Sequence, residues 1–253
     1  MKGFSLKSPI FAEEMNKNRL LYAAFLVIAV VMLYCGYALL CTRSCEGKVW
    51  LHRCNSLEKL GEKGGKYAGF EVDVCMRPDG TLDVTHEERI SFGLPVDTFF
   101  AYLEQHPGVG MWLDVKNLSA SNQSLFVQVL DSLCYAHDVR PERLVVESRE
   151  WELLRPLTRQ GYLTSCYVGL EENDSAVAYL QRVADSGAVR ALSFPRKWYG
   201  KMKRSLNRRN IALLTWCNHQ TLGQLRLRLQ GQRMLRDPQL RVILIKDHGS
   251  YHR

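Results

Sequence analysis

Three runs in this 253-residue chain are apolar on both faces of a would-be strand: LVVES (144–148), IALLTW (211–216) and RVILIK (241–246). A strand of that kind has no polar face to give to water. It must be covered on both sides, as happens in a parallel sheet with helices packed over it. Strand candidates lie at 49–53, 69–75, 111–116, 144–148, 163–168, 190–194, 211–216 and 241–246. Between them, apolar residues recur at helical spacing, as in Leu125, Phe126, Val129, Leu130, Leu133 and Cys134, and again in Trp151, Leu154 and Leu157. Further helices are predicted over 175–185 and 222–235. Strands alternating with helices in this way predict a (β/α)8 TIM barrel over residues 46–253, with 82–86 outside the count as the return arm of a hairpin. The 46% hydrophobic content is enough for a core of that size. The eighth strand comes close to Arg253, so no helix is expected after it.

The N-terminal part is different. Residues 1–19 are polar and of mixed charge, and read as a short disordered tail. Residues 20–41 (LLYAAFLVIAVVMLYCGYALLC) contain no charge, and a helix of that length matches the roughly 30 Å hydrocarbon core of a bilayer. A cleavable signal peptide has a shorter apolar region and a small-residue cleavage site, so a signal-anchor transmembrane helix is expected instead. Lys17 and Arg19 precede the span, while Arg43 and Lys48 follow it. This modest bias predicts a single-pass protein with its N-terminus in the cytoplasm and the barrel outside it.

Ionisable residues collect at the ends of the first three predicted strands. His52 and Arg53 close the first, Glu71 and Asp73 the second, Asp114 and Lys116 the third. Residues two apart on a strand share a face, so each acidic or mixed pair projects to one side while Phe70, Val72 and Val74, or Leu113 and Val115, project to the other. Pro78-Asp79-Gly80 is turn chemistry, and the returning arm ends at His86. In such barrels the C-terminal ends of the strands carry the active site. Three converging carboxylates repel unless a cation sits among them, and oxygen-only ligands suit Mg²⁺ or Ca²⁺ rather than zinc. Arg53 and Lys116 are placed to hold phosphate oxygens, and His52 and His86 to exchange protons near neutral pH.

The segments HRCN (52–55), EVDV (71–74), PDGTLDVTHE (78–87) and LDVKN (113–117) resemble the glycerophosphodiester phosphodiesterase family. They also resemble the wider group of phospholipase-C-like barrel phosphodiesterases. The resemblance implies a divalent metal on Glu71, Asp73 and Asp114, acid and base roles for His52 and His86, and phosphate contact from Arg53 and Lys116. LLTWCN (213–218) resembles the family's late tryptophan strand, which implies that Trp216 covers the substrate. It further implies a phosphodiester or phospholipid substrate, attacked by its own neighbouring hydroxyl to give a cyclic phosphate. The similarity runs through 49–118 and returns at 211–218. Cys54 stands where the family has glycine, Glu87 where it has aspartate, and Asp114 where it has glutamate. The short interval between His52 and Glu71, and an Asp-x-Lys third strand, are closer to the sphingomyelinase D-type branch. The alternative function is a catalytically inactive barrel serving as a membrane-tethered binding or assembly module.

The remaining features admit plainer readings. The formal net charge of +8 suits phosphates or anionic lipid, and no nucleic-acid partner is expected because no recognition motif accompanies it. The eight cysteines lack metal-ligand spacing; Cys134 reads as buried, and Cys54 and Cys75 could pair. Asp79 and Asp83 read as turn and solvent residues. Glu147 either faces the site or is solvated, and His106, His137, His219 and the C-terminal histidines read as loop residues. KWYGKMKRSLNRR (197–209) is either a membrane-facing or a solvated basic segment.

Overall fold

The computed structural model describes residues 9–43, 46–167, 174–217 and 221–247. The described residues form nine strands: β1 (Val49–Leu51), β2 (Gly69–Met76), β3 (Leu82–Val84), β4 (Gly110–Val115), β5 (Leu144–Ser148), β6 (Leu163–Tyr167), β7 (Ala191–Pro195), β8 (Ala212–Cys217) and β9 (Leu240–Ile245). All but β3 form a closed parallel barrel, because β1 pairs with both β9 and β2. β3 lies antiparallel on β2 outside the barrel, with Val84 opposite Val74. Each predicted strand is present within a residue or two at either end, and Val168 lies outside the described residues. A side-chain period of two leaves strand register legible wherever one face carries charge.

Helices cover the outer faces: α1 (Pro9–Arg43) ahead of the barrel, then α2 (Leu57–Lys63), α3 (Asp97–Gln105), α4 (Gln123–Ala136), α5 (Arg155–Gln160), α6 (Asp174–Asp185), α7 (Tyr199–Leu206), α8 (Leu222–Leu227) and α9 (Leu229–Arg236). The main core lies between strands and helices, with Phe70, Val72, Phe99, Phe126, Leu130 and Phe194 buried. A second apolar cluster fills the barrel interior, from Trp112, Val145, Ala191, Leu214, Val242 and Leu244. Below it, Trp50 crosses the floor. An added Cβ at Gly69 or Gly110 would come within 2.4 Å or 2.5 Å of the Trp50 ring, so both strands need glycine there.

Several local expectations change. The helix predicted over 222–235 breaks at Arg228, whose extended backbone (φ −85°, ψ 134°) separates α8 from α9. Gly231 then packs so closely on α8 that a Cβ would stand 2.0 Å from the Leu225 carbonyl oxygen. The Trp151–Leu157 pattern splits into a 3₁₀ turn and α5, with Pro156 in the first turn of α5, where it needs no intrahelical partner. In 197–209 the aromatic residues face inward: Trp198 and Tyr199 are buried, which removes the membrane-facing reading. Residues 9–19, expected as a loose tail, continue the helix of the apolar span. Lys17–Leu40 is long and apolar enough to cross a membrane. Cys54 and Cys75 are both buried and unpaired.

Candidate active site

The C-terminal ends of the strands open into a cavity of about 770 Å³ whose walls include His52, Arg53, Glu71, Asp73, His86, Asp114, Lys116 and Trp216. All eight residues singled out in the sequence therefore meet at one place. β2 and β4 put Asp73 directly opposite Asp114, and Glu71 one inward step below. Oxygens of Glu71, Asp73 and Asp114 lie within 4.8 Å of one another. This oxygen-only donor set fits a hard divalent cation.

The carboxylates are held individually. Glu71 Oε2 accepts from the Arg53 backbone N–H at 2.6 Å. Arg53 reaches that position with a left-handed backbone, φ 51°, at the break that ends β1; a non-glycine residue there costs on the order of 1–3 kcal/mol. The turn is made at Arg53, and Cys54 behind it is buried with its N–H donating to the Glu71 carbonyl at 2.7 Å. Asp73 accepts from Asn55 Nδ2 at 2.6 Å, while its own N–H donates to Asn55 Oδ1 at 3.0 Å. Lys116 Nζ reaches Asp73 Oδ1 at 2.6 Å and Asp114 Oδ2 at 2.5 Å.

Electrostatics follow from burial and these contacts. Burial, with Asp73 and Asp114 adding repulsion, drives the Glu71 carboxyl well above its ordinary pKa. Burial also raises Asp114. Asp73 feels the same burial, but the charge and hydrogen bond of Lys116 and the Asn55 amide outweigh it and hold this carboxyl low. Lys116 is held above its usual range because Asp114, Asp73 and Glu71 outweigh its burial.

The two histidines differ. His52 is buried; burial and the neighbouring Arg53 charge lower its pKa to about 3, so the imidazole is neutral. Its Nδ1 has no hydrogen-bond partner among the described residues, and its Nε2 lies 3.9 Å from Glu71 Oε2. His86 stands at the rim, with Nδ1 3.1 Å from Glu87 Oε1 and Nε2 3.5 Å from Arg53 Nη2. Glu87 thus stands behind the second histidine. The Trp216 ring centroid is 6.5 Å from that of His52 and 6.2 Å from that of Tyr167, over which Arg149 stacks at 5.3 Å.

Other residues enter only through the fold. Lys59 is buried and donates to the carbonyls of His52 and Arg53 at 2.8 Å and 2.7 Å, which fixes the strand end. Glu147 is not solvated: register with Asp114 places it inside the barrel, where Ser165 donates to it at 2.7 Å. Burial and Asp114 push its carboxyl up to about 8. Asp83 is buried and bridged to Arg77 at 2.7 Å, whereas Asp79 accepts from Thr81 N–H as turn chemistry predicts. His137 is not simply a loop residue, since it joins Asp97 at 2.9 Å and Glu104 at 3.1 Å. His219, His248 and His252 lie outside the described residues. The period-two alternation that places Glu71 and Asp73 inward also applies to Val145 and Glu147, but nothing local distinguishes a barrel interior from its outside.

No family model matches the sequence, and no curated protein matches it. Solved structures do. A glycerophosphodiester phosphodiesterase from Parabacteroides distasonis ATCC 8503 superposes with a TM-score of 0.59 at 13% identity, covering 79% of this chain and 92% of that one. A candidate glycerophosphoryl diester phosphodiesterase from Silicibacter pomeroyi DSS-3 gives 0.57 at 16% identity, over 80% and 90%. An Oleispira antarctica phosphodiesterase, solved with its product sn-glycerol-3-phosphate, gives 0.54 at 13%, over 81% and 94%. At this level of identity the likeness is one of architecture: the chain has the barrel fold found in glycerophosphodiester phosphodiesterases.

Proposed function

We propose that the barrel is a metal-dependent phosphodiesterase tethered to a membrane through residues 20–41, with its N-terminus in the cytoplasm and the barrel outside it. The observation that carries this reading is the convergence of Glu71, Asp73 and Asp114 within 4.8 Å, in a cavity that also holds His52, His86, Arg53 and Lys116. That set supplies ligands for a cation, charge for a phosphate and two proton carriers, and the solved structures of the same fold bear the names of enzymes acting on phosphodiesters.

Glu71, Asp73 and Asp114 would hold one divalent cation, Mg²⁺ or Ca²⁺. When bound, such an ion supplies Lewis acidity toward phosphate oxygen and lowers the pKa of a hydroxyl beside it. The chain's own residues do the rest. Arg53 and Lys116 stabilise negative charge accumulating on the phosphate oxygens. His52, neutral and buried, takes the proton of the attacking hydroxyl. His86, held from behind by Glu87, gives a proton to the leaving alcohol oxygen. Trp216 covers the substrate from the side of His52 and excludes water. A hydroxyl on the carbon next to the ester is already tethered, which favours a cyclic phosphate product; effective molarities of about 10⁵–10⁸ M are attainable for such attack.

The test is turnover of glycerophosphodiesters and their analogues methylated at the neighbouring hydroxyl, followed by phosphorus NMR. A cyclic phosphate from the free substrate, with none from the methylated one, supports the reading. Unimpaired cleavage of the methylated substrate would replace the cyclic route with direct attack by water, and no turnover of any phosphodiester would remove the enzymatic reading.

A further inference from the structure

The direction in which α1 runs along the barrel decides which end of the molecule meets a bilayer. α9 ends at Arg236, at the end of the barrel opposite the cavity, where Lys48 Nζ donates to the Asp237 carbonyl at 2.6 Å. α1 descends beside α8 and α9. Tyr34 Oη donates to the Leu227 carbonyl and accepts from Gln232 Nε2, both at 3.3 Å. Further along α1, the Tyr37 ring lies 5.8 Å from the Arg236 guanidinium, and Ala38 is fully buried. Tracing α1 backward from Tyr37 to Tyr34 therefore moves from the closed end toward the mouth. The apolar residues from Leu20 to Leu33 continue in that direction, most of them exposed. At about 1.5 Å per residue this segment is about 21 Å long.

A second observation is independent of α1. Away from α1 and the α8–α9 junction, the exposed large apolar residues among those described are Leu57, Ile90, Phe92, Leu125 and Tyr135. The first four are 42–50% exposed and all belong to the mouth end. Leu57 opens α2 just after β1, and Leu125 lies in the first turn of α4 after β4. Ile90 and Phe92 lie in the loop after β3, which Arg77 ties down by donating to the Glu88 and Ile90 carbonyls. Single exposed apolar residues are ordinary; their gathering at the end toward which an apolar helix points is the informative part. Arg53, Arg89 and Arg149 on the same cavity wall suit lipid phosphates.

We propose that the mouth of the barrel lies against the bilayer that α1 enters, and that the phosphodiester it accepts is carried on a membrane lipid. The substrate half rests on the phosphodiesterase reading; the orientation does not.

The test uses the full chain in phosphatidylcholine–phosphatidylglycerol vesicles. Phe92→Trp and Tyr135→Trp each add one indole, read as the fluorescence difference from the parent protein with and without brominated phosphatidylcholine. Quenching at Phe92→Trp but not at Tyr135→Trp is expected. Quenching at Tyr135→Trp, or at neither, overturns the orientation. For the substrate, headgroup release from vesicle phosphatidylglycerol is compared with p-nitrophenol release from soluble glyceryl p-nitrophenyl phosphate, which keeps the neighbouring hydroxyl. Leu57→Glu/Phe92→Glu should lower the first by about tenfold or more, equivalent to about 1.4 kcal/mol, and leave the second within about twofold. Equal effects on both, or parent activity on the soluble ester alone, overturn the lipid assignment. Quenching at Phe92→Trp in a protein that cleaves neither substrate supports the orientation and overturns the phosphodiesterase reading.

Discussion

The ammonium of Lys116 sits 2.6 Å from Asp73 Oδ1, across the seam between β4 and β2. It also touches Asp114, so one lysine compensates two of the three carboxylates of the candidate metal site. A buried carboxylate that loses its partner is destabilising by about 3–5 kcal/mol, whereas a bound divalent cation supplies the same compensation. Lys116→Met should therefore melt at a lower temperature than the parent in chelator and gain more from added Mg²⁺ or Ca²⁺. Thermal unfolding in both conditions checks this; an identical metal response in the two proteins would count against it.

Removal of the cation should abolish phosphodiester cleavage. Activity is expected to return with Mg²⁺ or Ca²⁺ in the parent and not in Glu71→Ala, which loses a carboxylate that burial and the repulsion of Asp73 and Asp114 raise in the absence of a cation. Isothermal titration of the metal into both proteins gives a readout that does not depend on turnover. Full activity after exhaustive chelation would sink the ligand assignment.

The histidine roles separate by leaving group. Loss of a general acid or base typically costs roughly 10²–10⁴-fold, and both His52→Ala and His86→Ala should lose that much on an alkyl ester. A p-nitrophenyl leaving group departs without a proton, so His86→Ala should recover most of its rate on such an ester while His52→Ala should not. Recovery in His52→Ala instead would exchange the two assignments.

Glu147 gives a pH signature. Its folded pKa is about 8 against an ordinary 4.5, chiefly from burial. Between those values the folded protein binds more protons than the unfolded chain, so this carboxyl lowers stability progressively as pH rises from 4.5 through 8. Glu147→Gln, with an oxygen still able to accept from Ser165, removes the titration. A tenfold change in a protonation equilibrium is worth about 1.4 kcal/mol, so in chelator the variant should be more stable than the parent at pH 8.5 by a few kcal/mol, with little gain at pH 4.5. Urea unfolding at the two pH values measures the difference; an equal gain at both would mean that the effect is not ionisation.

The barrel floor has a steric requirement. At Gly110 an added Cβ would meet the Trp50 ring at 2.5 Å and the Arg143 carbonyl oxygen at 3.0 Å. Gly110→Ala is expected to destabilise by about 1–3 kcal/mol, the usual range for overpacking. Combining it with Trp50→Leu should recover part of that loss in denaturant titrations; no recovery would place the strain elsewhere.

What the sequence determined by itself is what period and run length encode. The strand–helix alternation, the apolar span and the paired positions Glu71/Asp73 and Asp114/Lys116 all depend on neighbours one to four residues away. They could be read before any fold was known, and the structure places all four of those side chains on one cavity. The tertiary structure decided what depends on closure. Runs such as 144–148 are buried on both faces, so only the ring of eight paired strands tells that Glu147 points inward beside Asp114. The clamp of Asn55 on Asp73 joins segments eighteen residues apart, and the Arg77–Asp83 bridge depends on how the β2–β3 hairpin folds back. The break at Arg228 follows from the close seat of Gly231 on α8, which overrides a continuous helical pattern. Nothing in an apolar stretch says which way it will lie along a barrel; the seats of Tyr34 and Tyr37 on α8 and α9 set the direction of α1, because those contacts join residues nearly two hundred positions apart.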